Sequence, residues 1–320
     1  MTPLEQYRAL LTILYKEIHR FMRIWTQTLI PPAIMIMLYF VIFGTLIGKR
    51  IGQMGGFDYM QFMIPGLIMM SVISNSYSNV VSSFFGQKFA RSIEELLITP
   101  LPHYLILLGW VLGGVSRGLL VGAIVTFVSL WFYDLTVNNW TLSIFVLIST
   151  SILFSLGGFL NALFAESFDD ISIVPTFIMQ PLIYLGGVFY SIQLLPSFWQ
   201  TVSLANPILY MINAFRYSIL GSSDLESLGF SINYALFMIV GFIILLETII
   251  AINGWKYKTE FLSLSNISVD ITNTHAIGNV LYICCFLNNQ FDNKDQKSTG
   301  ILISSENVTI GLNLENVQCL

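Results

Sequence analysis

Charge is scarce in this chain. Only 10% of its 320 residues are Asp, Glu, Lys or Arg, 55% are apolar, and mean hydropathy is +0.74. Soluble domains carry about 25% charged residues, so the shortage excludes an ordinary soluble fold and points to an integral membrane protein. Cysteine is scarcer still: Cys284, Cys285 and Cys319 all fall near the C-terminus, which gives no disulfide framework or thiolate metal site. The histidines, His19, His103 and His275, are scattered. No Ser/His/Asp set, metal-ligand spacing or pair of intramembrane carboxylates appears, which ranks a membrane enzyme low and weakens a proton-driven mechanism. The N-terminus lacks the charged region, apolar core and small-residue cleavage site of a signal peptide, so the first span is expected to direct insertion. A net charge of −4 gives no reason to expect nucleic-acid binding.

What is present is hydrophobic length. Six apolar runs, near residues 28–47, 62–84, 105–131, 142–165, 171–195 and 234–254, each approach the roughly 20 residues that cross a hydrocarbon core. Backbone amides in lipid must be satisfied within their own segment, so the runs are read as helices. Residues 1–27 precede them. At 100° per residue, Tyr7, Leu11, Leu14, Ile18, Phe21, Met22 and Trp25 share one face and Glu5, Arg8, Thr12, Lys16, His19, Arg20 and Arg23 the other, the pattern of a helix lying in the membrane interface. The fold expected is an all-α integral membrane protein with six transmembrane helices, an N-terminal interfacial amphipathic helix and an outer re-entrant hairpin before the last span. With the N-terminus inside, eight Lys and Arg (Arg8, Lys16, Arg20, Arg23, Lys88, Arg91, Lys256, Lys258) flank the cytoplasmic ends and three (Lys49, Arg50, Arg216) the outer ones, which sets the orientation and leaves both termini cytoplasmic.

Residues 86–103, GQKFARSIEELLITPLPH, then form a cytoplasmic connector. Ser92-Ile93-Glu94-Glu95 has the spacing of a capping box, Glu94 and Glu95 suit the positive end of a helix dipole, and Pro100 ends the helix after roughly two turns. A helix that short is marginal alone. Ile93, Leu96 and Leu97 must pack either on the chain's own membrane domain or on a cytoplasmic partner, and the partner is the reading preferred.

Three other groups stand out. In the second run, Ser71, Asn75, Ser78 and Ser82 follow the i, i+4, i+7, i+11 rule and form a polar stripe. It serves either as interhelical glue or as the lining of a translocation path or dimer seam. Arg117, near the middle of the third run, and Glu247, in the sixth, are ionisable groups in apolar surroundings, costly enough to mark function or a structural pairing between them. Between the fifth and sixth runs, Asn206 is placed to cap a helix that Pro207 opens and that runs through Tyr210 and Arg216 to about Leu220, before Gly221. Fourteen residues fall short of a span, so an outer re-entrant hairpin fits. The competing reading, a seventh span from near Phe198, would erode the charge asymmetry.

The connector from Arg91 to Pro100 and the Asn206-Pro207, Tyr210 and Arg216 set, together with six spans and an interfacial helix, resemble the ABC-2 type transporter permeases over about residues 1–260. That resemblance implies a coupling helix at Ser92–Ile98 seated on an ATP-binding subunit, with residues 1–27 as the connecting helix beside it. It also implies a homodimer of the permease, in contact with membrane lipid, in a bacterial inner membrane. The chain has no GxxxxGK[ST] loop, so it carries no cofactor; ATP and Mg would sit on the partner ATPase. The implied function is an exporter permease moving a lipid, polysaccharide or drug-like amphipathic substrate by alternating access. The alternative from another class is a non-transporting scaffold or channel that docks a cytoplasmic partner. Residues 261–320, Asn-rich and polar, fall outside the resemblance and are either disordered or hold short strands near 280–286 and 300–304.

Overall fold

The computed structural model describes residues 2–93, 96, 101–133, 136–266, 301–305 and 308–312, without the side chains at 45–47, 49, 103, 227 and beyond 251. Two units separate within it, Met1–Lys258 and Thr259–Leu320.

Helix α1, Pro3–Arg23, opens on a capping box in which Thr2 accepts from the Glu5 amide and Glu5 answers the Thr2 amide. Short helices α2 (Trp25–Thr28) and α3 (Ile30–Tyr39) follow, and the chain then widens into a π-helical stretch, Phe40–Ile47, before α4 (Gly48–Ile51). Strands β1 (Gln53–Met54) and β2 (Phe57–Asp58) pair antiparallel. Gly55 and Gly56 between them both have positive φ, 60° and 84°, as a two-residue I′ turn requires.

Helix α5, Tyr59–Phe89, is the axis of the first unit. It packs against α6 (His103–Phe132), α7 (Trp140–Phe164) and α11 (Pro207–Leu220). Its serines and asparagines lower its hydropathy, but 21 of its residues are buried, from Tyr59 at one end to Phe85 at the other. Helix α6 reaches α5 so closely that a Cβ on Gly118 would collide with Ser76. On another face of α6, Gly113 lies against α1, where a Cβ would stand 2.7 Å from Cβ of Glu17. Small residues on two faces allow both approaches, as in other close-packed membrane helices.

The fifth run is broken. Helix α8 (Phe168–Ile173) starts at a Ser167 capping box, whose Asp170 carboxyl the amides of Glu166 and Ser167 hold below the usual carboxylate range. A π-helical stretch, Val174–Met179, follows, then α9 (Gln180–Leu185). Pro175 has no N–H for the i−4 carbonyl, which accounts for the widening. The run expected to reach residue 195 stops at Leu185. There the chain turns through Gly186 and Gly187, the latter at φ +77°, where only glycine sits without strain.

Helices α10 (Ser197–Leu204), α11, α12 (Asp224–Ser227) and α13 (Ile232–Asn266) complete the order. Among the described residues, four stretches are long and apolar enough to cross a membrane: Trp25–Gly44, Tyr104–Phe132, Trp140–Phe164 and Ile232–Ala251. The first and last are only 17% buried, against 61% for Trp140–Phe164, so they turn their apolar surface outward. In the second unit, β3 (Ile301–Ser305) pairs antiparallel with β4 (Val308–Leu312); residues 280–286 lie outside the described residues.

Candidate functional site

The connector is anchored at its root. Lys88 Nζ donates to the carbonyls of Leu163 and Ala165, 2.8 and 2.7 Å away, at the C-terminal end of α7. The cation thereby caps orphan carbonyls at the negative end of that helix dipole. Phe85 and Phe89 meet Phe168 edge-on. Arg91 then takes φ 57°, a left-handed turn that redirects the backbone. Ile93 is buried, and Leu96 packs half-buried against the core of its own chain. Those two side chains therefore spend their apolar surface at home, as the intramolecular reading of the connector expected. Ser92 is exposed and its hydroxyl donates to the Gln87 carbonyl at 3.3 Å. Glu94, Glu95 and Leu97, and with them the capping box, lie outside the described residues.

The polar stripe of α5 closes largely on its own helix. Ser71 Oγ donates to the Leu67 carbonyl, Asn75 Nδ2 to that of Ser71, Ser78 Oγ to that of Ser74 and Ser82 Oγ to that of Ser78. Ser71 and Asn75 are buried inside the chain, Ser78 is half-buried and Ser82 exposed.

Arg117 finds a partner on this stripe: its Nη2 donates to Asn75 Oδ1 at 3.2 Å. The pairing with Glu247 is not formed. Glu247 is exposed on α13, whereas Arg117 turns inward between α1 and α5, where a side-chain amide is within reach. One turn along α5, Asn79 receives Arg20 of α1, whose Nη2 donates to the Asn79 carbonyl at 2.9 Å and to its Oδ1 at 2.8 Å.

Beside it lies a network that the helical wheel of α1 does not reveal. Glu17 is fully buried and pairs with Arg20 at 3.3 Å. It also accepts a 2.6 Å bond from Ser83 Oγ, which in turn receives Trp110 Nε1 at 3.3 Å. Helix α1 has three faces rather than two. Ile13, Glu17 and Phe21 face the protein, Tyr7, Leu11 and Met22 form an exposed apolar face, and Arg8, Lys16, His19 and Arg23 an exposed polar one. At 100° per residue the faces are about 120° apart. Glu17 falls off both of the faces a two-sided wheel recognises; Gly109 and Gly113, spaced to admit a second helix, are the signal that could have located it.

A second network surrounds α11. Helix α11 begins as expected, with Asn206 Oδ1 accepting from the Ile208 amide at 3.0 Å and Pro207 in the first turn, and it ends at Gly221 with φ 79°. Asn206 Nδ2 reaches the Leu182 carbonyl at 2.6 Å, and the Tyr210 hydroxyl that of Leu204 at 2.6 Å. Arg216 is 1% exposed. It pairs with Asp224 at 3.6 Å, donates to the Gly187 carbonyl at 2.7 Å and lies 3.8 Å over the ring of Phe62. Asp224 accepts from Ser191 Oγ at 2.9 Å. A cavity of about 250 Å³ opens beside them, lined by Phe57, Phe62, Gln193, Arg216 and Glu226 among others.

The sequence matches the family profile described as ABC-2 type transporter over residues 8–220, a stretch that holds the helices, the connector root and both networks up to α11. The chain belongs to that family. Its relatives include Inner membrane transport permease YadH of Escherichia coli K12, 62% identical over 216 residues, which cover 68% of this chain and 84% of the relative. Nodulation protein J of Rhizobium leguminosarum bv. trifolii is 24% identical over 189 residues, 58% of this chain and 71% of the relative. Nodulation protein J of Neorhizobium galegae is 23% identical over a similar stretch. The chain is thus a membrane transport permease of the ABC-2 type.

Proposed function

We propose that this permease is the membrane half of an ATP-driven exporter, crossing the inner membrane six times with the N-terminus and α13's far end inside. The re-entrant hairpin is formed by α10 and α11 on the outer side. Helix α11 has 14 residues, 11 of them buried, which suits a segment held within protein rather than one crossing lipid. Two permeases would pair with two ATP-binding subunits, and ATP with Mg would be bound there, since this chain has no phosphate loop of the GxxxxGK[ST] type. The stripe reaches the surface at Ser78 and Ser82, so the path or subunit seam is assigned to that side of α5. The cargo class remains an amphipathic lipid, polysaccharide or drug-like molecule.

The observation that carries the reading is the rooted connector. A motor can shift the spans only by binding their attachment differently in two states, and an attachment must be stiff. Lys88, the Phe85–Phe89–Phe168 cluster and buried Ile93 supply that stiffness. Ile93 is then an anchor of the coupling helix proposed at Ser92–Ile98. Leu97→Asp is expected to abolish co-purification of the ATP-binding subunit and ATP-driven transport while the permease still inserts. Normal co-purification of the ATPase with that variant would refute the docking role.

A further inference from the structure

The inner network is not neutral. Two guanidiniums, Arg20 and Arg117, stand one helical turn apart on the Asn75 and Asn79 amides and within electrostatic reach of each other. One carboxylate, Glu17, faces them, and it is already engaged by Arg20 and Ser83. Among the described residues Arg117 has no ion pair, its Nε–H has no acceptor, and neither does Nδ2 of the fully buried Asn79. The site thus holds a surplus positive charge and too few acceptors.

Depth places this surplus near the inner headgroups. Helix α6 has 30 residues, about 45 Å at 1.5 Å per residue, longer than a hydrocarbon core of about 30 Å. Trp131 and Trp140, both largely exposed, mark the outer interface, where tryptophan collects. Arg117 lies 14 residues inward of Trp131, about 21 Å, which leaves it about 9 Å from the inner edge. A long guanidinium side chain spans most of that distance.

We infer that Arg117 and Arg20 form a binding site for a phosphate-bearing anion at the inner face, where α1, α5 and α6 meet. An anionic phospholipid headgroup supplies the missing charge and acceptor oxygens, and so does free phosphate; the chemistry recognised is the same. Asn75 and Asn79 orient the two guanidiniums toward it.

The test uses the full-length permease in nanodiscs of mixed phosphatidylcholine and phosphatidylglycerol, released into detergent and weighed intact by native mass spectrometry. Wild type is expected to retain phosphatidylglycerol, and Arg117→Gln to retain about five-fold less, the share of one interfacial charge. Arg117→Lys should retain an intermediate amount. Asn75→Asp brings a carboxylate to the guanidinium without removing it, so it should expel the lipid while the thermal midpoint holds or rises. If Arg117→Gln and Asn75→Asp both retain as much phosphatidylglycerol as wild type, and inorganic phosphate protects wild type no more than Asn75→Asp, the site does not exist. In lipid-free detergent, protection from unfolding by inorganic phosphate in wild type and not in Asn75→Asp would support the site with a soluble anion as its occupant.

Discussion

The two membrane faces of this permease each bury a carboxylate against a guanidinium, and they do so in different ways. Around α11 Asp224 and Arg216 are 4% and 1% exposed, and Ser191, Asn213, the Gly187 carbonyl and the ring of Phe62 take up most of their remaining groups, with Arg216 Nε alone left without an acceptor among the described residues. Charge is balanced there, and the pair ties α11 and α12 to the turn after α9. Beside α1 Glu17 is fully buried but Arg20 is 27% exposed, and Arg117 adds a cation without a matching anion among the described residues. A closed pair acts as a fastener, whereas an open one leaves chemistry to be completed by something from outside the chain.

The sharpest way to break this contrast is at Asp224. Asp224→Ala strands a buried guanidinium and is expected to cost about 3–5 kcal/mol, read as a lowered thermal midpoint in detergent. The double variant Arg216→Met/Asp224→Leu should be milder than either single change; additive losses would show that the outer pair is not a closed unit. Next in size, Glu17→Leu deprives Arg20 and Ser83 of an acceptor and should cost about 2 kcal/mol, less than the outer change because Arg20 can turn to water. Equal losses at the two ends would erase the distinction. Gly113→Leu wedges α1 away from α6 and is expected to cost roughly 1–2 kcal/mol, with new protease sensitivity in α1. The smallest effect expected is a gain: Arg91→Gly removes the left-handed penalty, about 1 kcal/mol, and should raise the thermal midpoint slightly.

Much of this architecture is legible in the sequence, and its limits have physical causes. Apolar length gave the helices, and the Asn206-Pro207…Gly221 grammar gave α11 to the residue, because caps and left-handed glycines are local devices. Connector burial was not readable: Ile93 looks equally free or packed until the fold shows what lies beneath it. Glu17 escaped for a related reason. A wheel sorts residues by water and lipid, and a third face turned toward protein exists only once Gly109 and Gly113 have met α1.

Helix α7 carries a final consequence. Lys88 grips its C-terminal end, while near its N-terminal end the Ser143 hydroxyl meets that of Ser218 at 2.7 Å and the Asn139 amide donates to the Ser218 carbonyl at 2.8 Å. A 25-residue helix fastened at both ends transmits axial displacement as a push rod does. The root of the connector and the helix that bears Arg216 are thus held to opposite ends of one helix.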